Sequence, residues 1–344
     1  MRRYRHGVRW IALLALVVVA AAVGVPAAPR QDGFQRGFVL MGWQRDTYLQ
    51  SASDSALRRM AADGANHVAI FSQWFLSNPT ASALAPDPAR TPSDAGVLHA
   101  IRVARALGMK VTVKPQVGIS SGGWIGYARP ADLEAFWSDY RTMLLHYADV
   151  AEHGGASILV VGTEMATLSS DATRWRTLIA EVRTHFSGEL TYAANYDEYQ
   201  RVLFWDALDY IGIDAYFPLA ESANPSPTKD QLAAAWSERG YLGAIAALSR
   251  KTGKRVLFTE LGYRAVRTAA VRPNAWQVPG VTDTGAQAEA YEAFYAAVAK
   301  QPWMAGVYWW SVNPAGSPTQ AYDPIGKPAE KVVTRESLRA ILPW

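Results

Sequence analysis

Apolar and polar positions alternate along this chain on two scales. Eight short runs, at residues 38–43, 67–74, 110–117, 157–164, 190–195, 210–216, 255–263 and 305–312, are almost continuously apolar. Several are dominated by β-branched and aromatic side chains, as expected of strands buried on both faces of a parallel sheet. Most are separated by longer segments with apolar residues at helical spacing. Residues 53–63 open on Ser53 as an N-cap and carry Leu57, Met60 and Ala61 on one face. Residues 130–153 align Leu133, Phe136, Trp137, Tyr140, Leu144 and Tyr147. One helix is predicted over 228–252, closed by Gly253, and another over the alanine-rich 284–300. Only 196–209 is too short for a long helix.

Eight strands alternating with helices predict an α/β fold, a single (β/α)8 TIM barrel over residues 37–344 rather than an open sheet. Length alone would allow two domains, but barrels of this kind occupy about 250 residues as one. Pro-rich stretches at 78–92, 220–227 and 272–283 read as loops at the barrel mouth rather than domain linkers.

Composition changes this picture at the N-terminus. The formal charge is +4, but Arg2, Arg3, Arg5 and Arg9 lie in residues 1–28 without an acid. Removing those 4 from 34 basic residues leaves 30 against 30 acidic ones, so the body is neutral. A neutral body offers no general field for nucleic acid. The basic stretch 1–9 precedes an apolar run at 10–25 and small residues at 26–28, the pattern of a signal peptide. The run is longer than most signal cores and shorter than the roughly 20 residues of a full span. Residues 1–28 are thus expected to be a cleaved signal or a retained membrane anchor, with 29–36 as a linker. The protein is expected to be secreted or periplasmic. With no cysteine, disulfides and thiolate metal sites are excluded.

In a barrel of this kind, chemistry belongs at the C-terminal ends of the strands. The residues there are Trp43, Gln73 and Trp74, Lys114 and Gln116, Glu164, Asn195 to Asp197, Asp214 and Tyr216, Glu260, and Trp309 with Trp310. Indole faces stack on the apolar faces of sugar rings, while amides and acids bond hydroxyls. Glu164 and Glu260 each end a strongly apolar strand. Acetal hydrolysis needs an acid for the leaving oxygen and a carboxylate for the oxocarbenium-like centre. One strand-end glutamate alone is better read as structural; two on opposite strands among tryptophans favour catalysis. Tyr216 either bonds the nucleophile or packs, and Asp214 is either a supporting carboxylate or the partner of a buried base. Lys114 within a strand needs a partner, which favours a place near the carboxylates. Trp309 and Trp310 alternate, so one faces the lumen. Trp124, in the loop Ser120-Ser121-Gly122-Gly123-Trp124, either caps a sugar subsite or packs. The six histidines form no metal-type pair, and no phosphate-loop spacing occurs. An isomerase or aldolase would want a Schiff-base lysine or phosphate loop late in the barrel. No metal or cofactor is expected.

The strings GANHVAIF (64–71), VKPQV (113–117), VVGTEM (160–165), LTYAANYDE (190–198), LDYIGIDAYFPL (208–219) and VLFTELGYR (256–264) resemble glycoside hydrolase family 113, over roughly residues 36–330. That family belongs to a clan of retaining barrel glycosidases and is known mainly for endo-β-1,4-mannanases. The resemblance implies that Glu164 is the general acid/base and Glu260 the nucleophile. Asn195, Tyr216 and Trp309 or Trp310 would then line the reacting subsite. Most of the clan carries Asn before the acid/base, where this chain has Thr163, so another group must handle the sugar 2-hydroxyl. The expected partner is a β-linked polysaccharide or oligosaccharide, and the expected state a monomer. The alternatives are a hydrolase for another hexose polymer and an envelope barrel that binds glycan without cleaving it.

Overall fold

Parallel strands buried on both faces need helices on both, as in an open sheet, or helices on one while the other closes on itself. The computed structural model, which describes residues 33–222, 224–276 and 280–341, takes the second form. The eight barrel strands are β1 (Gln35–Leu40), β2 (His67–Leu76), β3 (Lys110–Ile119), β4 (Ile158–Thr163), β5 (Glu189–Asn195), β6 (Tyr210–Asp214), β7 (Arg255–Leu261) and β8 (Met304–Val312). Each pairs in parallel with the next, and β8 pairs with β1 through Gly37↔Tyr308 and Phe38↔Trp309, closing the barrel. A two-residue strand, Leu84–Ala85, adds an antiparallel pairing at the end of β2.

The helices are α1 (Ser51–Ala62), α2 (Asp94–Ala106), α3 (Leu133–Gly154), α4 (Ala172–His185), α5 (Lys229–Glu238), α6 (Tyr241–Thr252), α7 (Thr284–Ala297) and α8 (Pro328–Ile341). Three expectations are corrected. The segment 228–252 is two helices, because Gly240 adopts φ 77° and breaks the run after Glu238. Its Thr228 cap is a complete capping box with Gln231. Ser53 is not an N-cap: α1 begins at Ser51, and the Ser53 hydroxyl donates to the Thr47 carbonyl at 2.7 Å. The barrel also begins earlier than residue 37, since Gln35 and Arg36 already pair with β8. The expected leader at 1–28 and the first half of the linker, 29–32, lie outside the described residues. No helix among the described residues is long and apolar enough to cross a membrane.

The apolar residues form two layers. The larger one fills the space between strands and helices. The smaller one, including Val39, Ala69, Phe71, Ile158, Leu257 and Tyr308, plugs the barrel interior. The Tyr308 hydroxyl donates to Gln35 Oε1 at 2.8 Å and contacts the Thr112 hydroxyl at 2.8 Å, so its polar tip is satisfied inside the plug. The lumen is therefore packed at its base, and the cavity opens above it.

Candidate active site

The cavity at the C-terminal ends of the strands has a volume of about 600 Å3. Glu164 and Glu260 both line it, together with Trp43, Gln73, Gln116, Trp124, Asn195, Tyr216 and Trp310. Backbone irregularity aims the two glutamates. Pairing between β6 and β7 slips from Ile213↔Phe258 to Asp214↔Glu260, a bulge of one residue. Leu257 points into the plug, so strict alternation would turn Glu260 outward; the bulge returns it to the lumen. Between β4 and β5 the register slips between Val160 and Thr163, just before Glu164. Glu164 adopts φ 52°, a left-handed conformation that costs a glutamate of order 1 kcal/mol or more. Its N–H donates to the Ala193 carbonyl at 2.8 Å, and the next N–H, of Met165, donates to the Tyr192 hydroxyl at 2.9 Å. These two bonds hold the turn.

Beneath that turn lies an aromatic block of Tyr140, Trp175, Tyr192 and Phe204, with Trp175 stacked on Phe204 at 5.1 Å. Gly162 is pressed against it: a Cβ there would lie 2.6 Å from the Trp175 ring and 2.9 Å from the Tyr140 hydroxyl. Gly162→Ala is therefore expected to cost about 1–3 kcal/mol. Urea denaturation measures this; an unchanged midpoint would show that the block yields to the methyl group. Glu198 extends the support. It is fully buried, accepts from the Tyr192 hydroxyl at 2.7 Å and accepts from the Asn195 N–H at 3.0 Å. It thus ties the end of β4 to the end of β5.

The two carboxyl groups sit in opposite surroundings. Glu260 accepts three donors: Lys114 Nζ at 2.9 Å and Gln116 Nε2 at 3.0 Å on Oε1, and the Tyr216 hydroxyl at 2.8 Å on Oε2. Burial and the Glu260 charge push the Tyr216 hydroxyl well above its usual pKa, so it is a neutral donor. Among the described residues Glu164 accepts only the Trp124 indole N–H, at 2.5 Å. Burial, then the charges of Asp214 and Glu260, push its carboxyl well above the usual range, outweighing Trp124 and Lys114. One acid is held toward its protonated form beside another held by a lysine, an amide and a phenol. Such a pair can donate a proton at one atom and an electron pair at another.

Lys114 and Asp214 lie below the cavity, buried, and do not line it. As sugar-contacting residues they are corrected: Lys114 bridges Glu260 to Asp214 Oδ1, the latter at 3.5 Å. Burial opposes the ammonium charge, but Asp214 and Glu260 outweigh it and raise the Lys114 pKa. Asp214 also accepts from the Thr259 hydroxyl at 2.7 Å, while its Oδ2 has no partner among the described residues. Burial and the Glu260 charge push its carboxyl up to about 8.

Parity decides between Trp309 and Trp310, and it corrects Trp74 as a lining residue. Trp309 points away from the lumen into the outer core, stacked on Tyr291 at 3.8 Å; Trp310, two residues from the inward Tyr308, lines the cavity. Trp74, adjacent to the cavity-lining Gln73, packs outward with its ring 6.1 Å from His146. Thr163 is buried and its hydroxyl has no partner among the described residues. The cavity also takes Tyr127, Asn274, Trp276 and Tyr322 from loops, which strand-end reasoning does not reach. Among the described residues, no group of three acidic or histidine side chains is arranged to hold a metal ion.

A parallel eight-stranded barrel with two unlike carboxyl groups among indoles at its mouth defines a glycosidase-type site. Comparison with known proteins agrees: the model of Glycoside Hydrolase Family 113 matches residues 37–322, and the chain belongs to that family. It is a glycosyl hydrolase rather than a barrel that only binds glycan. A family 113 β-mannanase from Alicyclobacillus acidocaldarius, in complex with ManMIm, is 30% identical with a TM-score of 0.81. The match covers 90% of this chain and 99% of that one. A family 113 β-1,4-mannanase solved as a complex is 25% identical, with a TM-score of 0.80 over 89% of this chain and 99% of the other. A GH5_18 protein from Streptomyces cattleya, in complex with Manβ1-4GlcNAc, shares the fold at 16% identity and a TM-score of 0.58, over 89% of this chain and 80% of that one. No curated protein matches the chain.

Proposed function

We propose that this protein is a retaining β-1,4-mannan hydrolase with Glu260 as nucleophile and Glu164 as general acid/base. The observation that carries the reading is the asymmetry of the two carboxyl groups: three donors on the buried Glu260, and one indole N–H on a half-buried Glu164. In the first step a Glu260 oxygen bonds to the anomeric carbon as the glycosidic C–O bond breaks. The departing oxygen takes its proton from Glu164. In the second step Glu164, now a carboxylate, removes a proton from water, whose oxygen displaces Glu260 from the anomeric carbon. Two displacements at one centre restore its configuration.

Mannan is supported by the two family 113 relatives, both described as β-mannanases. The cavity fits a sugar of that kind. Trp43, Trp124 and Trp310 present aromatic faces, and Asn195 Oδ1 has no partner among the described residues. An unpaired buried acceptor is costly, so a sugar hydroxyl that donates to it gains binding energy. With Thr163 in place of the clan's usual Asn, Asn195 is the group assigned to the sugar hydroxyls beside the anomeric centre. Residues 1–28 support action outside the cytoplasm, by export or anchoring, and the enzyme is taken as a monomer.

Soluble β-1,4-manno- and β-1,4-gluco-oligosaccharides of equal length, compared by kcat/KM, test the substrate. The manno series is expected to be favoured on the order of 100-fold or more, because a site built to bond a hydroxyl rejects its misplaced epimer. Equal or faster cleavage of the gluco series would sink the mannan assignment while leaving the hydrolase intact.

A further inference from the structure

Trp124 is an aromatic residue of the cavity whose polar atom is already committed, to Glu164 Oε2. An indole nitrogen only donates. While that bond is made Oε2 accepts, and because the carbonyl oxygen of a carboxylic acid is the better acceptor, a proton carried by Glu164 is favoured on Oε1.

The indole is held for this contact on two sides. Gly126 lies so close to it that a Cβ there would sit 2.3 Å from the ring, and Tyr127 meets it edge-on at 4.9 Å. The 3-10 turn Ile125–Tyr127 is in turn pinned to the segment after Glu164, because the Thr167 hydroxyl donates to the Ala128 carbonyl at 2.5 Å. The loop carrying the donor and the loop carrying the acid therefore form one unit. The other ionisable groups around Glu164 are Lys114 on β3, Asp214 on β6, Glu260 on β7 and Tyr322 after β8, with Asp197 also lining the cavity. Tyr127, Tyr196 and Tyr216 line the cavity as well; among the described residues none of these groups hydrogen-bonds Glu164, and the described cavity lining contains no histidine or arginine.

We propose that Trp124 is a positioning residue for Glu164, whose indole N–H favours the transferable proton on Oε1 and keeps that oxygen aimed into the cavity. The inference rests on Glu164 being the general acid. It differs from a role in which Trp124 only stacks on a sugar, because stacking does not involve the N–H.

The test uses the full mature chain labelled with 15N in its tryptophan indoles, without substrate. The Trp124 Nε1–H resonance, identified by its loss in Trp124→Phe, is expected to move as pH carries Glu164 through its ionisation, and to shift in Glu164→Gln. If Trp124→Phe does not fold, the resonance that moves in Glu164→Gln identifies it. A full set of indole resonances indifferent to both pH and Glu164→Gln overturns the proposal, whatever the substrate. The kinetic arm follows kcat/KM against pH. An N–H donor favours the carboxylate, so removing it raises the Glu164 pKa, and the alkaline limb of Trp124→Phe is expected to move up by roughly 0.5–1 unit. Its kcat is expected to fall about 10-fold for a sugar leaving group and little for an activated aryl one. A rise in KM for both substrates with an unmoved limb would assign Trp124 to stacking alone.

Discussion

Glu260→Ala is expected to lower kcat by about 10,000-fold or more, with azide restoring turnover as a glycosyl azide of inverted configuration. No neighbouring group can take over. Gln116 and Tyr216 offer only donors toward that position, and Asp214 lies buried below it with one oxygen bonded to Thr259 and Lys114. The substitution removes a carboxylate and opens space between Lys114 and Tyr216 that suits a small anion. An activated aryl glycoside is the substrate of choice, because it bypasses the need for acid assistance and isolates the nucleophile. Residual activity within about 10-fold of the parent, or no response to azide, would count against Glu260.

The second large effect falls on stability as well as rate. Lys114→Met removes the cation held between two buried acids and leaves Glu260 and Asp214 facing each other. Breaking a buried pair by deleting one partner costs about 3–5 kcal/mol, and the upper half of that range is expected above about pH 8, where Asp214 ionises as well. The loss is expected to shrink as pH falls. A carboxyl whose folded pKa is raised contributes stability that is present at low pH and lost as pH rises through that pKa. Asp214, already pushed up to about 8 with Lys114 in place, is raised further without it, so it is protonated in the variant at neutral pH and below, and its repulsion of Glu260 adds to the loss only as pH rises above about 8. Adding Asp214→Asn is expected to recover part of the stability but not kcat, since Glu260 still lacks its ammonium partner. Urea unfolding of the three chains at two pH values measures this. A Lys114→Met change under about 0.5 kcal/mol would mean that the lysine is not electrostatically engaged.

The frame of this enzyme was legible because parallel strands buried on both faces leave continuous apolar runs, and all eight barrel strands overlap such runs. Helices were less so. The segment 228–252 reads as one amphipathic stretch, and only the left-handed conformation of Gly240 divides it. Within the site, strand-end position was enough to find Glu164, Glu260, Asn195 and Tyr216. Alternation counted from Phe71 and Tyr308 separates Gln73 from Trp74 and Trp310 from Trp309, once an inward residue is known. It fails at Glu260, where a bulge shifts the parity, and bulges leave no periodic trace. Trp276 and Tyr322 were beyond reach for a different reason: loops place them, and a loop's path depends on contacts remote in sequence. Glu198 sat in plain view three residues after Asn195. Sequence position alone does not distinguish it from a surface acid; the Tyr192 hydroxyl and the Asn195 N–H that converge on it do.

The division of labour between Glu164 and Glu260 is tested most directly by the configuration of the first product. Proton NMR of a β-1,4-manno-oligosaccharide digest, recorded within the first minutes before mutarotation, resolves the α and β anomers of the newly formed reducing end. The two-displacement mechanism with Glu260 as nucleophile predicts the β anomer first. Initial release of the α anomer would mean a single displacement by water, and would exclude Glu260 as the nucleophile.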